Sequence, residues 1–256
     1  LLELFKEAEF KTWIDELQSR QSKNNRTLET TDEKLFAGVS EISATTDYQL
    51  VVKKQDLLKW LKRIREKGLV CVDTETTSVD YMSARLVGIS IAVNPRNAAY
   101  IPFGHDYLGA PAQLSEKYVL SELKPILEDK CIKKVGQNIK YDLSVLSQHG
   151  IDMQGVFFDT MLQSYVLDAT ATRHDMDTLA AKHLNYSTIK FEDIAGTGSS
   201  QLTFNQIPLE KAAPYAAEDA DISLRLFNAL DCRVRSEDSL LKLYNDIAVS
   251  YTHLTL

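Results

Sequence analysis

Cysteine is scarce in this chain. Cys71, Cys131 and Cys232 are far apart among 256 residues and match no metal-binding spacing. That excludes a disulfide-stapled fold and a thiolate zinc site, and fits reduced thiols in a cytoplasmic protein. Positive charge is also in short supply: 29 Lys and Arg against 36 Asp and Glu leave a net charge of −7, which argues against a broad basic face. Long apolar runs are missing. No stretch approaches the roughly 20 residues of a membrane helix, and no signal peptide precedes the body, so no membrane partner is expected. The five histidines are dispersed, and no internal repeat is visible. What remains is 44% hydrophobic and 25% charged, ordinary values for a globular chain long enough to bury a full core.

The most informative feature is Asp73-Thr74-Glu75, at the end of the apolar run Leu69-Val70-Cys71-Val72. The run reads as a buried strand. Strand side chains alternate, so Asp73 and Glu75 point one way and Thr74 the other. Paired carboxylates at a strand end repel each other unless a cation lies between them, which suggests a hard divalent metal. Taken alone, the triplet also fits a strand running into a solvated acidic turn. Two further acidic sites follow. Gly136-Gln137-Asn138-Ile139-Lys140-Tyr141-Asp142 closes a short strand over 132–135 and opens a helix over 139–149, placing Asp142 near the positive end of that helix. Tyr215-Ala216-Ala217-Glu218-Asp219 puts Tyr215 and Asp219 at i and i+4 on one helix face, which continues through Ile222 and Leu226 and is therefore buried.

In order, these are DTE, NxxYD and YxxxD, at 73, 142 and 219. The set resembles the three motifs of the DEDD family of 3′→5′ exonucleases, in the subgroup with Tyr in the third motif. DTMLQSYVLDATATRHDMDTLA (159–180), IKFEDIAG (189–196), QLTFNQI (201–207) and YAAEDAD (215–221) are similar to the proofreading domain of bacterial DNA polymerase I, and the likeness is nearly continuous over 48–231.

The resemblance implies an α/β, ribonuclease-H-like 3′-5′ exonuclease fold, a mixed sheet flanked by helices. The residues agree: 85–93 and 98–103 read as strands around an Asn-Pro-Arg-Asn turn, forming a meander with the DTE strand. Helical patterns cover 115–128, 139–149, 160–167, 176–184 and a long stretch from Pro208. Pro125 and Pro214 sit awkwardly inside two of them, and Pro214 either kinks its helix or is tolerated. Asp159 reads as an N-cap rather than a metal ligand, and His174 as a packing or hydrogen-bonding residue. Three regions are expected. Residues 1–46 comprise an amphipathic helix (1–17), similar to the end of a 5′-nuclease region, and a polar linker. Residues 47–235 form the exonuclease domain. Residues 236–256 begin the connection to an absent polymerase domain, with 248–256 departing from the family pattern.

By the resemblance, Asp73, Glu75, Asp142 and Asp219 hold two divalent metal ions, Mg²⁺ or Mn²⁺, with Asp73 bridging them and Asp142 reaching the second directly or through water. Tyr215 would orient the attacking water, with Glu75 a second candidate for that role. With an ordinary pKa of about 10, Tyr215 is a poor base. Gln137 and Asn138 match positions that touch terminal nucleotides, Val79 an apolar wedge, and Phe191 a base-stacking position with Tyr141 near the same strand. For Phe191, Tyr141 and Val79 a core role is the alternative. Lys140 and Arg173 are candidates for backbone contacts. A nuclease that grips few nucleotides needs a local funnel rather than a basic face, so the net charge does not conflict with this reading. The implied partners are the 3′ end of single-stranded or frayed DNA and the polymerase domain of a longer, monomeric protein. An RNA-trimming exonuclease of the same fold and a catalytically silent scaffold are the alternatives. The presence of all four carboxylates and the tyrosine argues against the scaffold.

Overall fold

The computed structural model describes residues 46–155, 157–170 and 173–248. The helix expected over 1–17, nearly all of the linker, and 249–256 lie outside the described residues. Six strands form one mixed sheet: β1 (Asp47–Leu50), β2 (Leu69–Thr76), β3 (Leu86–Asn94), β4 (Asn97–Pro102), β5 (Lys133–Gly136) and β6 (Phe157–Asp159), in the order β1-β4-β3-β2-β5-β6. β2, β3 and β4 make the expected antiparallel meander, whereas β1, β5 and β6 join their neighbours in parallel. The helices are α1 (Lys54–Lys67), α2 (Glu116–Leu127), α3 (Ile139–Gln148), α4 (Thr160–Leu167), α5 (Met176–Leu184), α6 (Phe191–Ala195), α7 (Leu209–Arg235) and α8 (Asp238–Leu243). A π-helical turn, Tyr244–Ala248, follows.

Side-chain alternation sorts the sheet into two faces. Val70, Val72, Ile89 and Ile91 pack into one core with Leu57, Trp60, Leu61 and Ile64 of α1, with α2 and with α3. The α1 residues fall at i, i+3, i+4 and i+7, and each buried side chain contributes about 2 kcal/mol. Cys71, Ala92, Ala98 and Val135 face the other way, onto Ala217, Ala220 and Leu224 of α7. Alanines at 212, 213, 216, 217 and 220 let α7 lie close against the strands. α7 runs through Pro214 without interruption, and α2 carries Pro125 two residues before its end. The missing N–H of Pro214 is tolerated rather than helix-breaking. α1, β1, β6 and α6 were not expected from the sequence, although α1 carries a clear helical period.

Candidate active site

The site forms where β2 ends against α7. Because Cys71 faces α7, so do Asp73 and Glu75, two and four residues further along. α7 brings Asp219 to the same place. One carboxylate oxygen from each of Asp73, Glu75 and Asp219 lies within 4.8 Å of the others. Glu75 Oε1 is buried with no hydrogen-bond partner. No ion pair among the described residues offsets the three charges. Burial pushes the Asp73 carboxyl up to about 6. Burial, then Asp73, Asp219 and Asp142, push Glu75 well above the carboxylate range, and burial, then Asp73 and Glu218, do the same for Asp219. An all-oxygen donor set with an orphaned buried oxygen and uncompensated charge suits a hard divalent cation.

Asp142 approaches from the opposite side of β2. It is 3% exposed, and its Oδ1 accepts from the Thr74 N–H at 2.9 Å and the Thr74 hydroxyl at 2.6 Å. Thr74 points away from Asp73 and Glu75, so it meets α3 on the other face of the sheet. Asp142 is still near enough that the charge of Asp73, after burial, raises its pKa. Tyr215 stands on α7 one turn before Asp219, near enough for that carboxylate's charge to act on its phenol. Burial, then the charges of Asp219, Glu75 and Asp73, push the phenol far above its ordinary pKa, so it remains protonated. Its ring contacts Phe191 and Phe204, each with centroids 6.1 Å away. Beneath, the Tyr100 ring crosses Gly88, the cross-strand partner of Glu75. A Cβ at residue 88 would lie 2.4 Å from that ring, so the close approach requires glycine. Tyr100 is held by His105 Nε2 at 2.8 Å.

A family model described as 3′-5′ exonuclease matches residues 48–235. The chain belongs to that family. It is 48% identical over 251 residues to a DNA polymerase I of Pseudomonas aeruginosa, covering 96% of this chain and 26% of that protein. A DNA polymerase I of Rhizobium leguminosarum is 41% identical over 208 residues, covering 73% of this chain and 20% of that protein. The chain thus spans about a quarter or less of the length of these curated relatives. Among solved structures, Brucella melitensis NrnC with bound Mg²⁺ superposes with a TM-score of 0.57 at 19% identity, covering 82% of this chain and 93% of that one, a likeness of fold. Among the described residues no helix is long and apolar enough to cross a membrane.

In this exonuclease domain, a cleft of about 770 Å³ opens beside the carboxylates, lined by Thr74 to Val79, Asn138, Tyr141, Phe191, residues 201–204 and Tyr215. Val79 is 96% exposed, so a core role is excluded. Tyr141 is half-buried, its hydroxyl donating to Ser78 O at 2.5 Å. Phe191 is half-buried in the cleft wall. Asn138 lines the cleft in a left-handed conformation, φ 58°. Gln137 is engaged at both ends of its amide, donating to His174 O at 2.8 Å and accepting from Thr160 Oγ1. Lys140 is half-buried on α3. Arg173 is 89% exposed and lies 3.4 Å from Asp175. His174 Nδ1 meets the Ser164 hydroxyl at 2.9 Å, and its ring packs on Tyr165. Asp159 caps its own helix through the N–H groups of Met161 and Leu162, as expected, and also accepts from those of Asn138 and Ile139. Sequence reasoning missed Thr74, Tyr100, Phe204 and this second cap. Only Thr74 and Phe204 carried a signal, by lying inside quoted motifs.

Proposed function

We propose that this chain is a 3′→5′ exonuclease that hydrolyses the terminal phosphodiester of single-stranded or frayed DNA. The observation that carries the reading is the carboxylate trio of Asp73, Glu75 and Asp219, set with Tyr215 at the wall of an aromatic-lined cleft. These three residues would hold a divalent cation, with Asp142 added for a second. When bound, such ions supply Lewis acidity to the phosphoryl group and offset the carboxylates' mutual repulsion. Mg²⁺ and Mn²⁺ both fit hard oxygen donors.

The chain's own groups do the rest. Tyr215, held protonated, is a hydrogen-bond donor or acceptor for a water and not a base. Glu75 Oε1, buried and unpartnered, is the acceptor available to that water. Unpaired nucleotides would lie between Val79 and Phe191, beside Asn138 and Tyr141. Gln137 would act by holding the loop before Asn138. Lys140 and Arg173 would meet the phosphate backbone. Stacking and phosphate contacts give no base readout, so no sequence preference is expected. In a longer protein the partner would be a polymerase domain, with this domain proofreading as part of a cytoplasmic monomer.

The test is degradation of 3′-labelled single-stranded DNA and RNA with Mg²⁺, with and without a chelator. Stepwise loss from the 3′ end of DNA, stopped by the chelator, is expected. Chelator-resistant or 5′-directed cleavage would overturn the reading, and a faster rate on RNA would reassign the chain to RNA trimming.

A further inference from the structure

Between α5 and α6 the chain crosses α7 as a short strap, residues 186–190, fastened at several points. Glu218 of α7 is 3% exposed, and its two carboxylate oxygens take separate donors. The Tyr186 hydroxyl donates to Oε1 and the Ile189 N–H to Oε2, each at 2.6 Å. Asp177 of α5 holds the next part of the strap, accepting from Thr188 Oγ1 and from Lys190 Nζ, each at 2.5 Å. The Arg225 guanidinium lies over the Tyr186 ring, 4.9 Å from its centroid. A buried carboxylate is costly unless its oxygens are occupied, and both oxygens of Glu218 are occupied by this strap alone. The residue that follows the strap is Phe191, in the wall of the cleft.

We propose that Glu218 is a positioning residue: it clamps the strap to α7 and so fixes Phe191 against an unpaired terminal base. α6 has five residues, too few to hold its own shape, so Phe191 is placed between two anchors: the strap before it, and Ile194 and Ala195 after it, buried with the alanines of α7. Glu218 directly precedes Asp219, but the helix turns its side chain about 100° away, toward the strap rather than the carboxylate trio. One helix thus carries both the hydrolytic residues and, through this clamp, the wall that holds the nucleotide they act on. The inference rests on the exonuclease reading for its kinetic part and on the geometry alone for its structural part.

The experiment compares Glu218→Gln and Tyr186→Phe with the parent chain. Tyr186→Phe removes one of the two bonds, leaves every charge in place, and decides the matter where Glu218→Gln fails to fold. Hydrogen exchange without DNA is expected to quicken about tenfold in 186–191, with the sheet unchanged. On a 3′-labelled oligothymidylate with Mg²⁺, KM should rise about tenfold with kcat within about twofold. In a Phe191→Ala background the same substitutions should add no further rise, because the wall they position is gone. Unchanged exchange in both variants would overturn the clamp. So would a KM increase that adds in full to that of Phe191→Ala, or a fall in kcat at unchanged KM, which would place Glu218 in the chemistry through Asp219. If the parent itself does not cleave, the exonuclease reading fails, while the exchange data still judge the clamp.

Discussion

Replacing Asp73 with Asn should stabilise the metal-free protein while abolishing hydrolysis. Burial lifts the Asp73 carboxyl from an ordinary value near 3.9 to about 6, so its ionised form is disfavoured in the fold. A carboxyl whose pKa is raised on folding imposes no cost below its unfolded pKa of about 4. The cost grows as pH rises through the window from about 4 to about 6, and is complete above it. A difference of about two pKa units corresponds to roughly 3 kcal/mol. Asp73 retains some exposure, so solvent screening brings the expected gain for Asp73→Asn to about 2 kcal/mol at pH 8. For a domain of this size that is about 4–8 °C in Tm. Asparagine matches the shape of aspartate, so packing is preserved. Calorimetry in chelator at pH 8 and pH 4.5 is the assay: a gain at pH 8 that shrinks toward zero at pH 4.5. Adding Mg²⁺ or Mn²⁺ should raise the parent's Tm more than the variant's, because a ligand that binds only the folded state stabilises it. A variant no more stable than the parent at pH 8, or a gain independent of pH, would refute the reasoning. Residual cleavage above about one tenth of the parent's would refute the place of Asp73 in the site.

Other expectations follow from the same geometry. Tyr215→Phe should slow single-turnover cleavage by about tenfold to a hundredfold while leaving DNA binding in Ca²⁺ nearly intact, because the ring contacts with Phe191 and Phe204 remain. Rates should rank single-stranded DNA above a duplex with a mismatched 3′ end, and that above a fully paired one. Fraying costs on the order of a kcal/mol per step, and equal rates at matched salt would exclude melting as the source of selectivity. Asp159→Ala should cost about 2–4 kcal/mol by denaturant unfolding, since four backbone N–H groups lose their acceptor.

Much of the site was legible because strand alternation is strict. Asp73 and Glu75 had to share a face, and the i, i+4 spacing of Tyr215 and Asp219 had to place them together on α7. What alternation could not tell was which face each later carboxylate would approach. Asp142 comes from α3, on the side of Thr74, a fact set by the parallel pairing of β2 with β5 and not by any local pattern. The meander was legible from two long apolar runs. β1 and β6, at four and three residues, exist through pairing with neighbours and are too short to show a period. α1 carries its period openly, with Leu57, Trp60, Leu61 and Ile64 on one face. Glu218 looks like one more acid beside Asp219. Its two partners lie 29 and 32 residues away, a distance no spacing rule reaches.

The double cap at Asp159 has a bearing on how the domain is assembled. Its carboxylate serves the start of α3 from 20 and 21 residues away, and the start of α4 from next door. Its own N–H donates to the Tyr244 hydroxyl at 2.9 Å, 85 residues on. α3 follows β5 almost directly in sequence, yet its first turn is incomplete until β6 has docked beside β5. The first turn of the helix that presents Asp142 is therefore secured from outside its own segment, by the residue that ends β6. Lengthening the connection between α3 and β6 should slow folding while leaving the rate of unfolding nearly unchanged.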